Sequence, residues 1–300
     1  MSTLLLNSLL NQFHLHATIF HRSLVCDTWG TDTSGTGMAS FHLISSGKAY
    51  LHTELYNGTL LTAGDMVIFP HDAPHIISFS PESSIASQHT SFIAYPIDTL
   101  APANSTGLLC GYFDFAEDKS QPLIRQLPQT IVIKADEQQG ALASLIQGLI
   151  DETQADYQGS EAIISRLTEV FFLALLRHLA KQQHQKLGFF NALQNPKMAK
   201  VLQAIHLNMA HNWSVNSMAE TGGYSRASFA SHFKQYFAIS PMEYLQQLRL
   251  TYAFKQLAKG DSVLKVALDA GYQSDITFAK AYKRHFGFGP GATRAQVQTI

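Results

Sequence analysis

The spacing of apolar residues changes near residue 138 and divides the chain into a strand-rich front part and a helical remainder. Between about 20 and 135, short apolar and β-branched runs such as MVIF (66–69) and TIVI (130–133) alternate with glycine and proline residues. Short strands separated by such turn residues are typical of a β-sandwich or a barrel. Beyond residue 138, the apolar residues recur at the spacing of a helix face, which predicts helices.

Two helices are predicted directly after the strands. The second begins near Ser160 and is apolar around much of its circumference, which indicates burial on more than one side. It would either pack against the barrel alone or also contact a second copy of the chain, and the pattern leaves both interpretations open. The apolar positions are Leu142, Leu145, Ile146 and Leu149 in the first helix, and Ile163, Ile164, Leu167, Val170, Phe171, Ala174 and Leu175 in the second.

The N-terminal stretch is not typical of a signal peptide or a membrane span. Leu6, Leu9, Leu10 and Phe13 follow the spacing of a short amphipathic helix, and no basic leading region or cleavage site accompanies them. No segment of the chain reaches the ~18 uninterrupted apolar residues that a membrane span needs. We therefore expect a cytoplasmic protein without a membrane partner.

An internal repeat occupies the C-terminal third of the chain. Each copy predicts a short helix, a turn with a Gly-Tyr pair, a serine cap (Ser225 and Ser274) and a longer helix, which together are typical of a helix-turn-helix. The two copies are 48 residues apart before the turn and 49 residues apart after it. The matching residues are Val215 and Val263, Met218 and Val266, Ala219 and Ala267, Gly223 and Gly271, Phe229 and Phe278, Ala230 and Ala279, Phe233 and Tyr282, Lys234 and Lys283, Phe237 and Phe286, and Pro241 and Pro290.

The distribution of charge indicates an anionic partner for the repeat. The chain has a formal net charge of −1. However, residues 1–196 carry 9 Lys and Arg against 17 Asp and Glu, whereas residues 197–300 carry 12 against 5. A basic half that follows an acidic half is typical of proteins whose basic half contacts nucleic acid or a membrane surface.

The longer helix of each copy is predicted to have one face in the core and the opposite face against DNA. The core faces repeat an aromatic residue every four positions, and the opposite faces carry small residues and lysines. Small residues allow a helix to lie deep in a major groove, and lysines reach phosphates or guanine bases. Two hairpins with an ordinary solvated face are the alternative. The core residues are Phe229, Phe233, Phe237, Phe278, Tyr282 and Phe286, and the outer residues are Ala227, Ala230, Ser231, Lys234, Ile276, Ala279, Lys280 and Lys283.

Another helix is predicted between the two copies, because Ser240-Pro241 is typical of a helix start and Gly260 of a helix end. Such a helix would hold both units on one side of a duplex. Two recognition helices roughly 34 Å apart could then enter successive major grooves.

The stretch from Trp213 to Arg294 resembles the DNA-binding domain of the AraC/XylS family of bacterial transcription regulators, most closely over GYQSDITFAKAYKRHFGFGP (271–290). The resemblance implies that helices 226–237 and 275–286 enter adjacent major grooves of double-stranded DNA, and that RNA polymerase is a further partner. The first of these helices departs from the expected pattern, because no base-facing position carries a long polar side chain. The resemblance implies a base-facing role for Ala227, Ala230, Ser231, Ile276, Thr277 and Lys280, and a phosphate-facing role for Arg226, Lys234, Lys283 and Arg284.

The front part resembles a cupin barrel. In GDMVIFPHDAPH (64–75), Gly64, Pro70 and His75 fit the second cupin motif, and Asp72 replaces its second glycine. The resemblance places Ser34, Thr36 and Ser40 at the metal-ligand positions of the first motif, and none of them is a usual metal ligand. We therefore expect no metal and no cofactor.

Two histidines are the candidates for an effector pocket. His42 lies two residues after Ser40, so on a strand it points to the same side, into the barrel, as His75 is expected to do. The pair would contact a small ligand, bind a metal together with a third group, or form ordinary hydrogen bonds in the core, and these interpretations stay open. His52, His71 and His89 are expected at the surface.

The cysteines are a further candidate pair. Cys26 and Cys110 both lie in the front part, and two thiols are the minimum for a redox switch. Cys26 has no basic neighbour in sequence that would lower its pKa, so buried and inert thiols are the alternative.

Together these patterns predict an α+β protein with two domains. A cupin-like barrel with a helical dimerisation region occupies 1–186, a linker occupies 187–196, and an all-α double helix-turn-helix domain occupies 197–300. We expect a non-enzymatic transcription regulator that forms a homodimer and responds to a small-molecule or redox effector. The alternatives are a metal-dependent cupin enzyme with appended helices and an architectural DNA-binding protein. The effector and the sign of regulation do not follow from the sequence.

Overall fold

A computed structural model describes residues 15–82, 94–95, 104–115, 122–155, 157–181 and 188–298. Its internal contacts separate two compact units. The barrel unit consists of His14–Ala116 and Leu127–Gln182, and the helical unit consists of Met1–Phe13, Glu117–Gln126 and Gln183–Ile300. The predicted N-terminal helix and His89 lie outside the described residues.

The described part of the barrel unit contains ten strands in two antiparallel sheets, as the strand-rich sequence predicted. The larger sheet has the order β10-β6-β3-β9-β1-β8, and the smaller sheet has the order β2-β7-β4-β5. The strands are β1 (His16–Val25), β2 (Gly30–Thr31), β3 (Ala39–Ser46), β4 (Lys48–His52), β5 (Asn57–Thr62), β6 (Met66–Phe69), β7 (Ile76–Ser78), β8 (Ala94–Tyr95), β9 (Thr106–Asp114) and β10 (Ile131–Ile133).

Strand β3 is the centre of this unit. Seven of its eight residues are buried, and it pairs with β6 on one side and β9 on the other. A central strand that is covered on both faces has no solvated side, so its polar residues Ser40, His42 and Ser45 are buried together with its apolar ones. In this register His42 lies opposite Cys110 on β9 and opposite Val67 on β6. The cross-strand pairing therefore determines which side chains meet His42.

Two helices cover the larger sheet: α2 (Ala141–Ala155) and α3 (Ser160–Lys181). Phe172 of α3 packs against Phe113 and Phe115 with ring centroids 4.8 and 5.2 Å apart. The sequence predicted burial on more than one side of this helix, and two of the apolar positions that it listed are exposed within the barrel unit. Ile163 is 45% exposed and Val170 is 51% exposed. These two side chains, seven residues apart, form an uncovered apolar strip on α3 within the described part of the unit.

The helical unit contains the predicted repeat. After α1 (Pro122–Arg125), its helices are α4 (Gly188–Gln194), α5 (Pro196–Leu207), α6 (Val215–Gly222), α7 (Arg226–Phe237), α8 (Pro241–Lys259), α9 (Val263–Asp269), α10 (Asp275–Phe286) and α11 (Thr293–Gln298). The predicted recognition helices 226–237 and 275–286 are confirmed to the residue as α7 and α10. No helix within the described ranges is both long enough and apolar enough to cross a bilayer.

The turns of the repeat form as their sequence predicted. Ser225 accepts a hydrogen bond from the Ser228 amide, and Ser274 accepts one from the Thr277 amide, each at 3.2 Å. Gly223 and Gly271 have φ angles of +65° and +79°, a backbone conformation that favours glycine. Each longer helix therefore begins at a serine cap that follows a left-handed turn.

Helix α8 connects the two helix-turn-helix units and supplies core residues to both. Tyr244, near its start, packs on Phe233 and Phe237 with ring centroids 5.5 and 5.2 Å apart. Farther along, Leu250, Ala253 and Leu257 share a core with Phe278 and Tyr282 of α10. Phe286, predicted in the core, is half-buried against the same cluster.

Candidate nucleic-acid interface and barrel site

Helices α7 and α10 bury their aromatic faces and expose the faces that the sequence assigned to DNA. Phe229, Phe233, Phe278 and Tyr282 are fully buried. Ala230 and Ala279 are half-buried. The other predicted DNA-facing residues are exposed: Arg226, Ala227, Ser231, Lys234, Ile276, Thr277, Lys280, Lys283 and Arg284.

Ile276 and the lysines give the outer face of α10 its chemical character. Ile276 is 65% exposed at the start of the helix, where its side chain is accessible to a partner. Lys280 and Lys283 are exposed, and neither forms an ion pair with any described residue. A cation without a carboxylate partner is available to bind a phosphate or a guanine base. This face of α10 can therefore contact a thymine methyl through Ile276 and an anionic or acceptor group through its lysines.

Thr277 is tied to the cap of the same helix. The Ser274 hydroxyl donates to Thr277 Oγ1 at 3.0 Å, while Ser274 Oγ accepts from the Thr277 amide. This arrangement holds the threonine side chain in one orientation and leaves its own proton available as a donor. A donor of fixed orientation suits contact with a base edge or a phosphate.

Sequence reasoning missed Gln235 on α7. Gln235 is exposed, and it lies one turn after Ser231, on the face opposite the phenylalanines. The offset of 49 residues after the turn pairs it with Arg284, and this offset would have found it. A glutamine can bond adenine through two atoms. Gln235 is therefore a further exposed polar residue on the outer face of α7, in addition to the positions taken from the sequence.

In the barrel unit, three polar side chains from distant parts of the chain meet in the core. His42 Nε2 lies 3.2 Å from His75 Nε2, and Thr33 Oγ1 lies 3.2 Å from the first nitrogen and 2.9 Å from the second. All three residues are buried. The ring of Phe69 stacks on His75 with centroids 3.6 Å apart. The sequence predicted that both histidines point inward, and the structure brings them into contact.

Ala73 decides which nitrogen of His75 carries the proton. Its carbonyl oxygen can only accept, and it lies 2.7 Å from Nδ1, so Nδ1 is protonated and Nε2 of the neutral ring accepts. Thr33 donates its hydroxyl proton to this Nε2. His42 therefore presents N–H at Nε2, and its Nδ1 accepts the thiol proton of Cys110 at a distance of 3.0 Å. A directed chain of hydrogen bonds thus runs from the Cys110 thiol to the Ala73 carbonyl.

Burial keeps this chain uncharged. Burial lowers the pKa of His42 well below its usual value of 6.5, and the neighbouring His75 lowers it further. Burial also lowers the pKa of His75, although the Ala73 carbonyl, Asp32 and Asp72 act in the opposite direction. Burial raises the pKa of the Cys110 thiol. All three groups are therefore neutral near pH 7.

The cysteines are both free and both buried. Burial raises the pKa of Cys26, and the neighbouring Asp27 raises it further. Oxidation begins from a thiolate, and neither environment favours one. The sequence paired Cys26 with Cys110, whereas the observed partner of Cys110 is His42.

Ser40 lies on the same strand as His42, two residues earlier. Its side chain is fully buried, and its Oγ has no hydrogen-bond partner among the described residues. A buried hydroxyl without a partner is costly, so Ser40 is a candidate for contact with a bound molecule. Ser34 and Thr36, the other two positions taken from the first cupin motif, lie in the loop before β3, where Ser34 is half-buried and Thr36 is exposed.

The remaining predicted histidines are placed as follows. His52 was expected at the surface and this expectation is wrong, because His52 is buried with Nε2 2.9 Å from the Ser80 carbonyl oxygen. His71 is half-buried, and its Nε2 lies 2.9 Å from the Leu127 carbonyl oxygen. Within the described ranges, no group of three or more His, Cys, Asp and Glu side chains is arranged to hold a metal ion.

Comparison with known proteins gives both parts of the chain a relative. Residues 5–181 match the family model described as a cupin, and residues 218–296 match a helix-turn-helix domain. The chain is 28% identical to an uncharacterized HTH-type transcriptional regulator of Haemophilus influenzae, over 87% of each chain. It is 27% identical to a putative AraC-like transcription regulator of Streptomyces lividans, over 89% of this chain and 90% of that one. It is also 27% identical to the HTH-type transcriptional regulator AlkR of Acinetobacter baylyi, over 97% and 99%.

The histidine pair makes the stability of the barrel unit depend on pH. Because the pKa of each histidine is lowered in the folded state, the stabilisation is present above about pH 6.5 and is lost as the pH falls below it. In urea unfolding between pH 7 and 5, His42→Gln should reduce the slope of unfolding free energy against pH by about 1.4 kcal/mol per pH unit. The double variant His42→Gln/His75→Asn should reduce it further. Parallel pH profiles for the three proteins would contradict the assigned protonation.

The two recognition helices should respond differently to loss of a lysine. Lys280 lies in the middle of the outer face, so Lys280→Ala should cost about 1–3 kcal/mol on the preferred site and relax one base position. Lys234 lies near the end of α7, so Lys234→Ala should weaken binding to all sequences about equally. Titration of both variants against the preferred site and its single-base variants distinguishes the roles. The same uniform loss in both variants would show that the assignment is wrong.

Proposed function

Because the chain belongs to the cupin family and ends in a helix-turn-helix domain of the AraC type, we propose that it is a transcription regulator whose barrel controls two recognition helices. The observation that carries this proposal is the repeat itself. Two serine-capped helices, α7 and α10, bury one aromatic face each and expose small residues and cations on the other. A duplicated helix of this kind is suited to a bipartite site in duplex DNA.

The DNA interface combines deep approach with charge. Ala227 and Ala230 let the backbone of α7 come close to the groove floor, and Gln235 and Lys280 supply polar contacts to bases. Arg226, Lys234, Lys283 and Arg284 would bind phosphates on either side. Phosphate contacts set position and affinity, whereas base contacts set sequence preference.

The barrel is proposed to hold the effector. Support comes from the buried Ser40 hydroxyl without a partner and from the His42–His75–Thr33 cluster, whose members present both donors and acceptors. Since the cluster is neutral near pH 7, it suits a small polar compound that exchanges hydrogen bonds with it. A redox effector acting on Cys26 and Cys110 is less well supported, because both thiols are buried and protonated.

Two further partners belong to this proposal. The uncovered strip of Ile163 and Val170 on α3 would be covered if two copies of the chain formed a homodimer. RNA polymerase is the expected partner of a regulator bound at a promoter. In this proposal residues 1–186 sense and dimerise and residues 197–300 bind DNA, and the predicted linker 187–196 contains helix α4 of the helical unit.

A metal-dependent cupin enzyme is the competing function. The residues at the metal-ligand positions argue against an enzyme. Such enzymes carry imidazole or carboxylate ligands there, whereas this chain has the loop residues Ser34 and Thr36 and the strand residue Ser40. His42 and His75 do converge, but two imidazoles are fewer ligands than biological sites of this kind use. We therefore propose a binding role for the cluster and no catalysis.

DNA binding should depend steeply on salt. The binding constant of the full-length protein for duplex DNA should fall as salt is added. In a plot of its logarithm against the logarithm of the salt concentration, the slope should be about −0.9 per neutralised phosphate. Removal of one phosphate contact in Lys283→Ala should reduce that slope by about one. Lys48→Ala, an exposed lysine of the barrel unit, is the matched control and should leave the slope unchanged. Binding that does not respond to salt, or no binding across a genomic library, would remove the proposal.

Loss of His75 should separate effector response from DNA binding. Without effector, His75→Ala should bind DNA as wild type does, because the cluster lies in the barrel unit. A thermal-shift screen of small polar metabolites should identify compounds that stabilise wild type and change its DNA affinity, and His75→Ala should lose both responses. His71→Ala, outside the cluster, should retain them. A compound that acts equally on wild type and His75→Ala would place the effector elsewhere, and a stoichiometric metal lost in His75→Ala would favour the enzyme.

A further inference from the structure

Arg249 lies in the middle of α8 and binds the loop that opens the first helix-turn-helix unit. Its Nε donates to the Met209 carbonyl at 2.9 Å, and its Nη2 donates to the His211 carbonyl at 2.8 Å. These two carbonyls belong to the segment between α5 and α6. One side chain of the connecting helix thus holds two backbone positions of the first unit.

The same guanidinium also contacts the second helix-turn-helix copy. Its central carbon lies 5.9 Å from the centre of the Tyr272 ring, within the range of a cation–π contact. Tyr272 follows Gly271 in the turn between α9 and α10. Arg249 therefore contacts the first unit through hydrogen bonds and the second unit through an aromatic face.

The turn of the second unit also touches the loop of the first directly. A Cβ atom at Gly271 would lie 2.6 Å from the Ala210 carbonyl oxygen and 2.7 Å from the Ala210 Cα. Both distances are shorter than side chains tolerate, and the φ angle of +79° independently favours glycine. The two helix-turn-helix copies therefore approach each other through their backbones at this point, and Arg249 lies beside the contact. We call Arg249, Gly271, Tyr272 and the loop 209–211 the inter-unit junction.

The chemistry of the junction needs arginine. A guanidinium has donors in a rigid plane, so it can bond two carbonyls of one loop while its flat face stacks on a ring. A lysine at the same place has one ammonium on a flexible stem and cannot hold these three partners in one geometry. The side chain is half-buried, so its contacts are partly shielded from water.

We propose that Arg249 is a positioning residue that sets the distance and angle between α7 and α10, and thereby the spacing of the two half-sites that the protein reads in DNA. The inference rests on the proposed function, since it concerns how two recognition helices bind one duplex. Each inserted base pair moves a half-site by about 3.4 Å and rotates it by about 35°. With a rigid junction, the two helices cannot follow the displaced half-site, so the affinity for DNA falls. With a loose junction they can follow it, and the affinity is retained.

The test uses the full-length chain and a bipartite site that wild type selects from random duplex DNA. Affinity is measured on that site, on versions with one base pair removed, one added or two added between the half-sites, and on a single half-site. The variants are Arg249→Lys, which keeps the charge, and Gly271→Ala, which disturbs the junction from the other side. Lys259→Ala, an exposed cation at the end of α8, is the matched control. Thermal unfolding shows whether each variant is folded.

Wild type and Lys259→Ala should lose affinity about tenfold or more when one base pair is added or removed. Arg249→Lys should bind the selected site about tenfold more weakly, with a flattened spacing profile and unchanged affinity for the single half-site. Gly271→Ala should flatten or shift the profile in the same way. If the folded variants keep the wild-type spacing profile, or weaken equally on the half-site and on every spacing, the positioning role is wrong. Failure of wild type to bind duplex DNA would instead remove the proposed function.

Discussion

Burial of two aromatic rows against one connecting helix is the constraint on which the DNA-binding half depends. Phe229, Phe233 and Phe237 of α7 must avoid water, as must Phe278 and Tyr282 of α10, and α8 supplies the surface that covers both rows. When one face of a helix is buried in a core, the residues on the opposite face are the ones that a partner can contact. Core packing therefore decides which positions of α7 and α10 face outward, among them Ala227, Lys234 and Lys280.

The barrel half follows a different constraint, which is the absence of charge in its core. His42, His75 and Cys110 lie where water does not reach, so each keeps its neutral form and exchanges hydrogen bonds with a neighbour. The Ala73 carbonyl orders the protons along the whole chain, because it can only accept. A buried polar network that is satisfied in this way makes the core rigid. The Ser40 hydroxyl, two residues before His42 on β3, is buried without a hydrogen-bond partner among the described residues, and it supports the proposed binding role of this region.

The two halves also differ in what holds them together. In the barrel unit, β3 joins β6 and β9 by backbone pairing, so its geometry is set along every residue. In the described part of the helical unit, α8 packs against both helix-turn-helix copies, and Arg249 joins the loop before the first copy to the turn of the second. Because Arg249 is not part of the aromatic core of the second copy, we expect its substitution to change the relation between the copies more than the packing of that core. This is the physical reason why the spacing of half-sites can be tested separately from stability.

The sequence by itself determined the parts of this protein that depend on near neighbours along the chain. The repeat, the serine caps, the bounds of α7 and α10 and their outer faces all follow from helical periodicity and turn chemistry, which act over a few residues. Only the tertiary structure decided which distant residues meet. The contact of His42 with Cys110 depends on strand register, Thr33 reaches the histidines from a loop, and Arg249 joins two turns that are far apart in sequence. The burial of His52 and the exposure of Ile163 and Val170 were likewise set by packing between elements. Local sequence patterns show which residues are apolar or polar, but the tertiary fold determines which residues contact each other.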